Sequence, residues 1–243
     1  MPRASIWPKC WSEPMTPRPR DRVVVATTNP GKLEELKALL AGLAVDVRSV
    51  AEVLSDPPVV VEDGAGFADN AVKKARAVAH ATLMLSLADD SGLEVDLLGG
   101  RPGVRSARFA HERASDAENN AALLAALDAT RAASGDAVAE GFGADELRAR
   151  FRCVLALVDP FTGGGEPRIV EGVCEGSITR TPRGSGGFGY DPLFVVAGTG
   201  KTLAELDAET KNRVSHRGAA FAALLPVLEQ VLATRAEQVA RLG

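Results

Sequence analysis

Aromatic side chains are scarce in this chain, at 5% of 243 residues, and Tyr190 is its single tyrosine. Ala, Val and Leu carry most of the apolar mass, so the core is expected to be aliphatic. Cysteine is scarcer still: Cys10, Cys153 and Cys174 are odd in number and far apart. That pattern argues against a disulfide framework or a cysteine zinc site and fits reduced thiols in the cytoplasm. Basic excess is missing, with a formal net charge of −4, which argues against a nucleic-acid partner. A local cluster of Lys and Arg remains free to hold a small anion. No apolar run approaches the ~18–20 residues that span a bilayer, and the first 20 residues lack the continuous apolar segment of a signal peptide. No membrane partner is therefore expected. Residues 1–21 read as a disordered leader or an overcalled start, since Met15 lies just ahead of the first strand-like run.

What is present is an ordinary globular composition, 46% hydrophobic and 25% charged, long enough for a single domain over residues 22–243. Arg22 to Ala26 is a short apolar run of buried-strand type. A helix is expected from Gly31 to Leu40, with Leu33, Leu36, Leu39 and Leu40 on its apolar face and Glu34, Glu35 and Lys37 outside it. Val45 to Val50 reads as a strand, Ser55 to Gly66 as a loop and Phe67 to Ala81 as a helix. Met84 to Ala88 and Leu93 to Leu97 read as strands around a turn at Asp89-Asp90-Ser91-Gly92. Ser115, with Glu118 three residues on, opens a third helix. Residues 132–146 look like a surface insertion. Phe151 to Val158, Ile169 to Gly176 and Pro192 to Val196 are further strands, and Gly218 to Leu242 is a closing helix. The alternation predicts an α/β fold with an elongated mixed sheet, antiparallel in part.

Five segments offer chemistry, each with a plainer reading beside it. Thr27-Thr28-Asn29-Pro30-Gly31-Lys32 joins a strand to a helix, where free N–H groups and a lysine favour a phosphate; it could equally be a capped turn. Asp89-Asp90 at a strand end could hold Mg²⁺ and polarise water, or be part of a turn. Glu62-Asp63 and Asp69-Asn70 add possible ligands, or only solvated acids. Gly184 to Asp191 would let a ligand approach the backbone closely, with Phe188 or Tyr190 stacking on a base; its plain reading is a flexible loop. Lys211, Ser215, His216 and Arg217 form a cationic, donor-rich group, or merely a capped helix start.

In this order the motifs ATTNPGKLEEL, FADNAVKKA, ADDSGLEVDLLGGRPGVRSARF, GGFGYDPLF and VSHRGAAF make the chain resemble the inosine triphosphate pyrophosphatase (XTP/dITP diphosphatase) family, over Val23 to Leu232. The resemblance implies two lobes around a nucleotide-binding cleft, usually in a homodimer. It implies hydrolysis of ITP, dITP and XTP to the monophosphate and pyrophosphate, removing them from the nucleotide pool with Mg²⁺ as cofactor. By position, Thr27, Thr28, Asn29, Pro30, Gly31 and Lys32 would hold the triphosphate. Asp90 would be catalytic base and metal ligand, and Ser91 would contact substrate. Phe188, Gly189, Tyr190 and Asp191 would form the base and sugar pocket. Lys211 would contact the nucleotide, and with Lys32 would offset developing charge. His216 and Arg217 would read the base. Glu62 would supply a second metal ligand, unless Val61 takes that position. Competing readings are a Maf-like nucleotide pyrophosphatase, a non-catalytic nucleotide-binding module, and a Rossmann oxidoreductase, for which the GxGxxG turn is missing.

Overall fold

The computed structural model describes residues 21–133 and 147–242. The leader through residue 20 and most of the expected insertion, 134–146, lie outside the described residues. The elements in chain order are β1 (Asp21–Val25), α1 (Pro30–Leu40), β2 (Val45–Ser49), α2 (Val50–Val53), α3 (Phe67–Thr82), β3 (Leu85–Val95), α4 (Asp116–Ala133), β4 (Arg148–Val158), β5 (Arg168–Ile178), β6 (Phe194–Val196), α5 (Ala208–Val214) and α6 (His216–Leu242). They build one mixed six-stranded sheet in the order β2-β1-β3-β4-β5-β6. β1 runs parallel to β2 and β3, and the remaining pairs are antiparallel.

β1 is apolar throughout its inner half because both its faces are covered. Val23 and Val25 pack toward α1 and α6, while Val24 packs toward α3. Asn29 caps α1 by accepting from the Lys32 N–H at 3.0 Å, and Pro30 takes the first helical turn, where its missing donor costs nothing. The expected strand to Val50 stops one residue short, because Ser49 and Glu52 form a capping box that starts α2.

The expected turn at Asp89 to Gly92 does not form. β3 is one strand of 11 residues, paired with β4 from Ser86 opposite Val158 to Val95 opposite Ala149. The ladder satisfies the backbone groups that a turn would have left to solvent, so tertiary pairing overrides local turn propensity. The length of β3, β4 and β5 has a further effect. Leu85, Leu87, Leu155 and Leu157 belong to a core beneath α1 and α6. Leu93, Val95, Ala149 and Phe151, farther along the same strands, belong to a second core with α4 and β6. Asp89, Asp90 and Ser91 sit where one core gives way to the other.

α6 begins at His216, two residues earlier than expected. Among the described residues it alone has the length and apolar composition that would also suit a membrane span. It lays one stripe, Ala220, Phe221, Leu224, Leu228 and Val231, onto the sheet.

Candidate active site

Successive side chains on a strand leave opposite faces, and this separates the two neighbouring acids of β3. Asp89 and Ser91 face α1 and α6; Asp90 faces α3. The two carboxylates therefore do not pair, contrary to the simplest expectation for adjacent acids.

Asp89 is fully buried and already neutralised. Lys32 Nζ lies 2.6 Å from it and Arg217 Nε 2.9 Å, and it accepts from Cys153 Sγ at 3.0 Å and Ser91 Oγ at 2.9 Å. Burial opposes its charge, but Arg217 and Lys32 together hold the carboxyl well below the usual range. Arg217 continues to Glu35 and donates to Ser91 Oγ at 3.0 Å. Lys211 bridges Glu35 and Asp191, each at 2.6 Å. The result is a continuous chain of alternating charge: Lys32, Asp89, Arg217, Glu35, Lys211, Asp191. Burying such groups is tolerable only because each one is paired.

Asp90 belongs to a different group. Lys74 Nζ sits 2.7 Å from Asp90 and 3.1 Å from Glu62, and Asn70 Nδ2 donates to Asp90 at 3.4 Å. Asn70 and Lys74 are one helical turn apart on α3, so both reach the same face of β3. Burial raises the Asp90 carboxyl despite the attraction of Lys74 and Lys32. Burial also opposes ionisation of Glu62, but Lys74 carries its net shift downward. Glu62, not Val61, faces the cluster; Val61 is 69% exposed.

These residues line two adjoining recesses. The larger, a cavity of about 700 Å³, is walled by Thr27, Thr28, Asn29, Lys32, Glu62, Lys74, Asp90 and Arg108. The smaller is walled by Phe151, Phe188, Gly189, Tyr190, Asp191, Lys211, His216 and Arg217. Asn29, Lys32, Ser91 and Ala107 border both. Pro30 and Gly31 border neither. Gly31 instead lets the Phe188 ring lie against the start of α1, where any Cβ would collide with it.

The aromatic loop divides its roles. Tyr190 is a core residue whose hydroxyl donates to the Ser106 carbonyl at 2.9 Å, and burial pushes its phenol up. Asp191 accepts from the Phe188 N–H at 2.9 Å, bracing the loop. Phe188 is half-buried, with Lys211 Nζ 5.0 Å from its ring centroid, and is the ring placed to stack on a ligand. His216 lies parallel to Phe151, centroids 4.7 Å apart, and its buried Nδ1 has no hydrogen-bond partner. Burial, reinforced by Arg217, depresses its pKa far below the usual value, so the imidazole is neutral.

Lys211 borders the smaller recess and not the larger, whereas Lys74 borders the larger beside Lys32. Lys74 and Glu35 were not singled out from sequence. Spacing was the available signal: Glu35 lies three residues from Lys32 on α1, so the two share a helix face.

The donor set can be tested against Mg²⁺. Among the described residues no group of three or more His, Cys, Asp or Glu is placed to hold a metal. Mg²⁺ usually takes one or two carboxylates and completes its shell with water and substrate phosphates. Asp90 and Glu62, brought together by Lys74 in an open recess, fit that pattern and do not form a closed cage.

A sequence profile of the Ham1 family matches residues 23–227. The dITP/XTP pyrophosphatase of Desulforamulus reducens is 48% identical over 210 residues, 86% of this chain and 96% of that one. That of Geobacter sulfurreducens is 49% identical over 203 residues, 84% and 94% of the two chains. A HAM1 protein from Coxiella burnetii has a solved structure that superposes with a TM-score of 0.73 at 40% identity, covering 86% of this chain and 99% of its own. The chain belongs to the Ham1 family.

Proposed function

We propose that this protein hydrolyses purine nucleoside triphosphates carrying hypoxanthine or xanthine (ITP, dITP, XTP) to the monophosphate and pyrophosphate, which would clear them from the nucleotide pool. The observation that carries this reading is the pair of recesses meeting at Asn29, Lys32 and Ser91. One offers a stacking ring and a neutral imidazole, as a base requires; the other offers cations and two acids, as a metal-bound triphosphate requires. The dITP/XTP pyrophosphatases of Desulforamulus reducens and Geobacter sulfurreducens, its relatives, support it.

Asp90 and Glu62 would hold Mg²⁺, which when bound neutralises phosphate charge and acidifies water. The protein's own groups do the rest. Thr27, Thr28, Asn29 and Lys32 bind the phosphates at the mouth of α1. Lys74 holds Asp90 and Glu62 in register and offsets charge on the leaving pyrophosphate. Asp90 orients the attacking water and takes its proton. Ser91 and Lys32, on the shared border, position the sugar–phosphate junction.

Base choice follows from hydrogen bonding. Hypoxanthine and xanthine present a 6-oxo acceptor to donors from His216 and Arg217, whereas adenine presents an amino group. A donor left unpaired in this buried recess costs ~1–3 kcal/mol. The expected cytoplasmic setting is supported by Cys153 and Cys174, both buried and free, and sedimentation velocity tests the expected homodimer.

The activity test is direct. With Mg²⁺, the protein is expected to release pyrophosphate from ITP, dITP and XTP far faster than from ATP, and Asp90→Asn is expected to abolish turnover while keeping nucleotide binding. Orthophosphate as product, or equal rates on ATP, would overturn the reading.

A further inference from the structure

We propose that Arg108 is a further phosphate-binding residue of this site, reading the end of the polyphosphate remote from the nucleoside. The inference rests on the functional reading above and extends it to a residue outside the five segments first singled out.

Three observations carry it. The first is position. Arg108 ends a short 3-10 turn, Gly103–Arg108, that forms the wall between the two recesses. Ser106 borders the smaller recess, Ala107 both, and Val104 and Arg108 the larger only. Arg108 thus stands on the phosphate side of the partition. The wall itself is anchored, since Ser106 Oγ accepts from the Leu93 N–H at 2.8 Å and donates to the Gly103 carbonyl at 2.7 Å.

The second observation is charge. Lys32, Lys74 and Arg108 are the cations bordering the larger recess. Lys32 already has Asp89 at 2.6 Å, and Lys74 has Asp90 at 2.7 Å. The carboxylate paired with Arg108 is Glu112, at 3.8 Å and 71% exposed, a distance at which water screens most of the attraction. Arg108 is the least neutralised of the three, and a triphosphate brings about four negative charges, more than one Mg²⁺ offsets.

The third is geometry. Arg108 Nη2 donates to the Glu62 carbonyl at 2.9 Å, across 46 residues of sequence. That bond turns the guanidinium away from open solvent toward the acidic loop. It uses one of five N–H donors in a fork whose shape suits phosphate oxygens.

The test separates this role from simple support of the Glu62 loop. Binding of inorganic tripolyphosphate would be measured by calorimetry in EDTA, so that metal held by Asp90 and Glu62 makes no contribution, with IMP as the control ligand. Arg108→Ala is expected to weaken tripolyphosphate about tenfold or more and to leave IMP within about twofold. Arg108→Lys, which keeps the charge and loses the fork, is expected to recover only part of the loss, and full recovery would overturn the assignment of the fork to phosphate. Unchanged tripolyphosphate affinity in Arg108→Ala would overturn the proposal, as would an equal loss for IMP. Wild-type protein that fails to release pyrophosphate from ITP would sink the functional reading instead, whatever Arg108 binds.

Discussion

His216 is a buried imidazole stacked on Phe151, and its neutrality has a consequence for stability. Its folded pKa is depressed by burial first and Arg217 second. Below the unfolded value of ~6.5 the unfolded chain takes up a proton that the folded chain refuses. The stabilisation is therefore complete above that value and is lost as pH falls below it. Between pH 7.5 and 5.5, wild type is expected to lose roughly 1.4 kcal/mol more unfolding free energy than His216→Gln, measured in urea. Equal losses in both proteins would mean that the imidazole is not held neutral. At this scale the sequence was informative where charge stood in an unusual local setting. Asp90, Lys32, His216 and Arg217 were visible because each interrupts a turn or a helix start with chemistry that packing alone does not need. Lys74 and Glu35 were not, because a charged residue in the middle of a helix normally faces water. Only the strand that each helix covers turns them inward.

At the scale of elements, the seating of α6 on β5 positions His216 and Arg217, the two residues proposed to read the base. Gly172 is where the two backbones meet: a Cβ there would enter the α6 backbone at His216 and Ala220. Gly172→Ala should push the start of the helix outward and cost about 1–3 kcal/mol. The expected readout is a lower urea midpoint at unchanged slope, together with a raised KM for ITP as His216 and Arg217 shift. A wild-type midpoint would show that the contact relaxes freely. Most of the elements were legible from periodicity, and the mixed character of the sheet, though not its strand order, from their alternation. The join at Asp89 to Gly92 was not, because Asp, Ser and Gly carry strong turn preference and the ladder that overrides it comes from β4, more than 50 residues away.

Across the whole molecule, a third core lies beneath α3, while the two described above run along the same three strands and each holds one buried cysteine: Cys153 in the first and Cys174 in the second. If the shared strands bind the cores into one cooperative unit, both thiols should become reactive together. In a Cys10→Ser background, labelling of Cys153 and Cys174 across a urea titration is expected to give coincident midpoints that match circular dichroism. Separate midpoints would mean that the two ends of the sheet open independently. The alternation along β3 sets a different constraint, one on how such a gene can change length. Asp89 and Asp90 differ by a single step, and that step decides which one meets Lys32 and Arg217 and which one meets Lys74. One codon gained or lost between the start of β3 and this pair would exchange their partners without changing either residue. Length variation within β3 ahead of the pair is thereby closed off. The segment between α4 and β4 enters after the pair is set and stands outside that restriction.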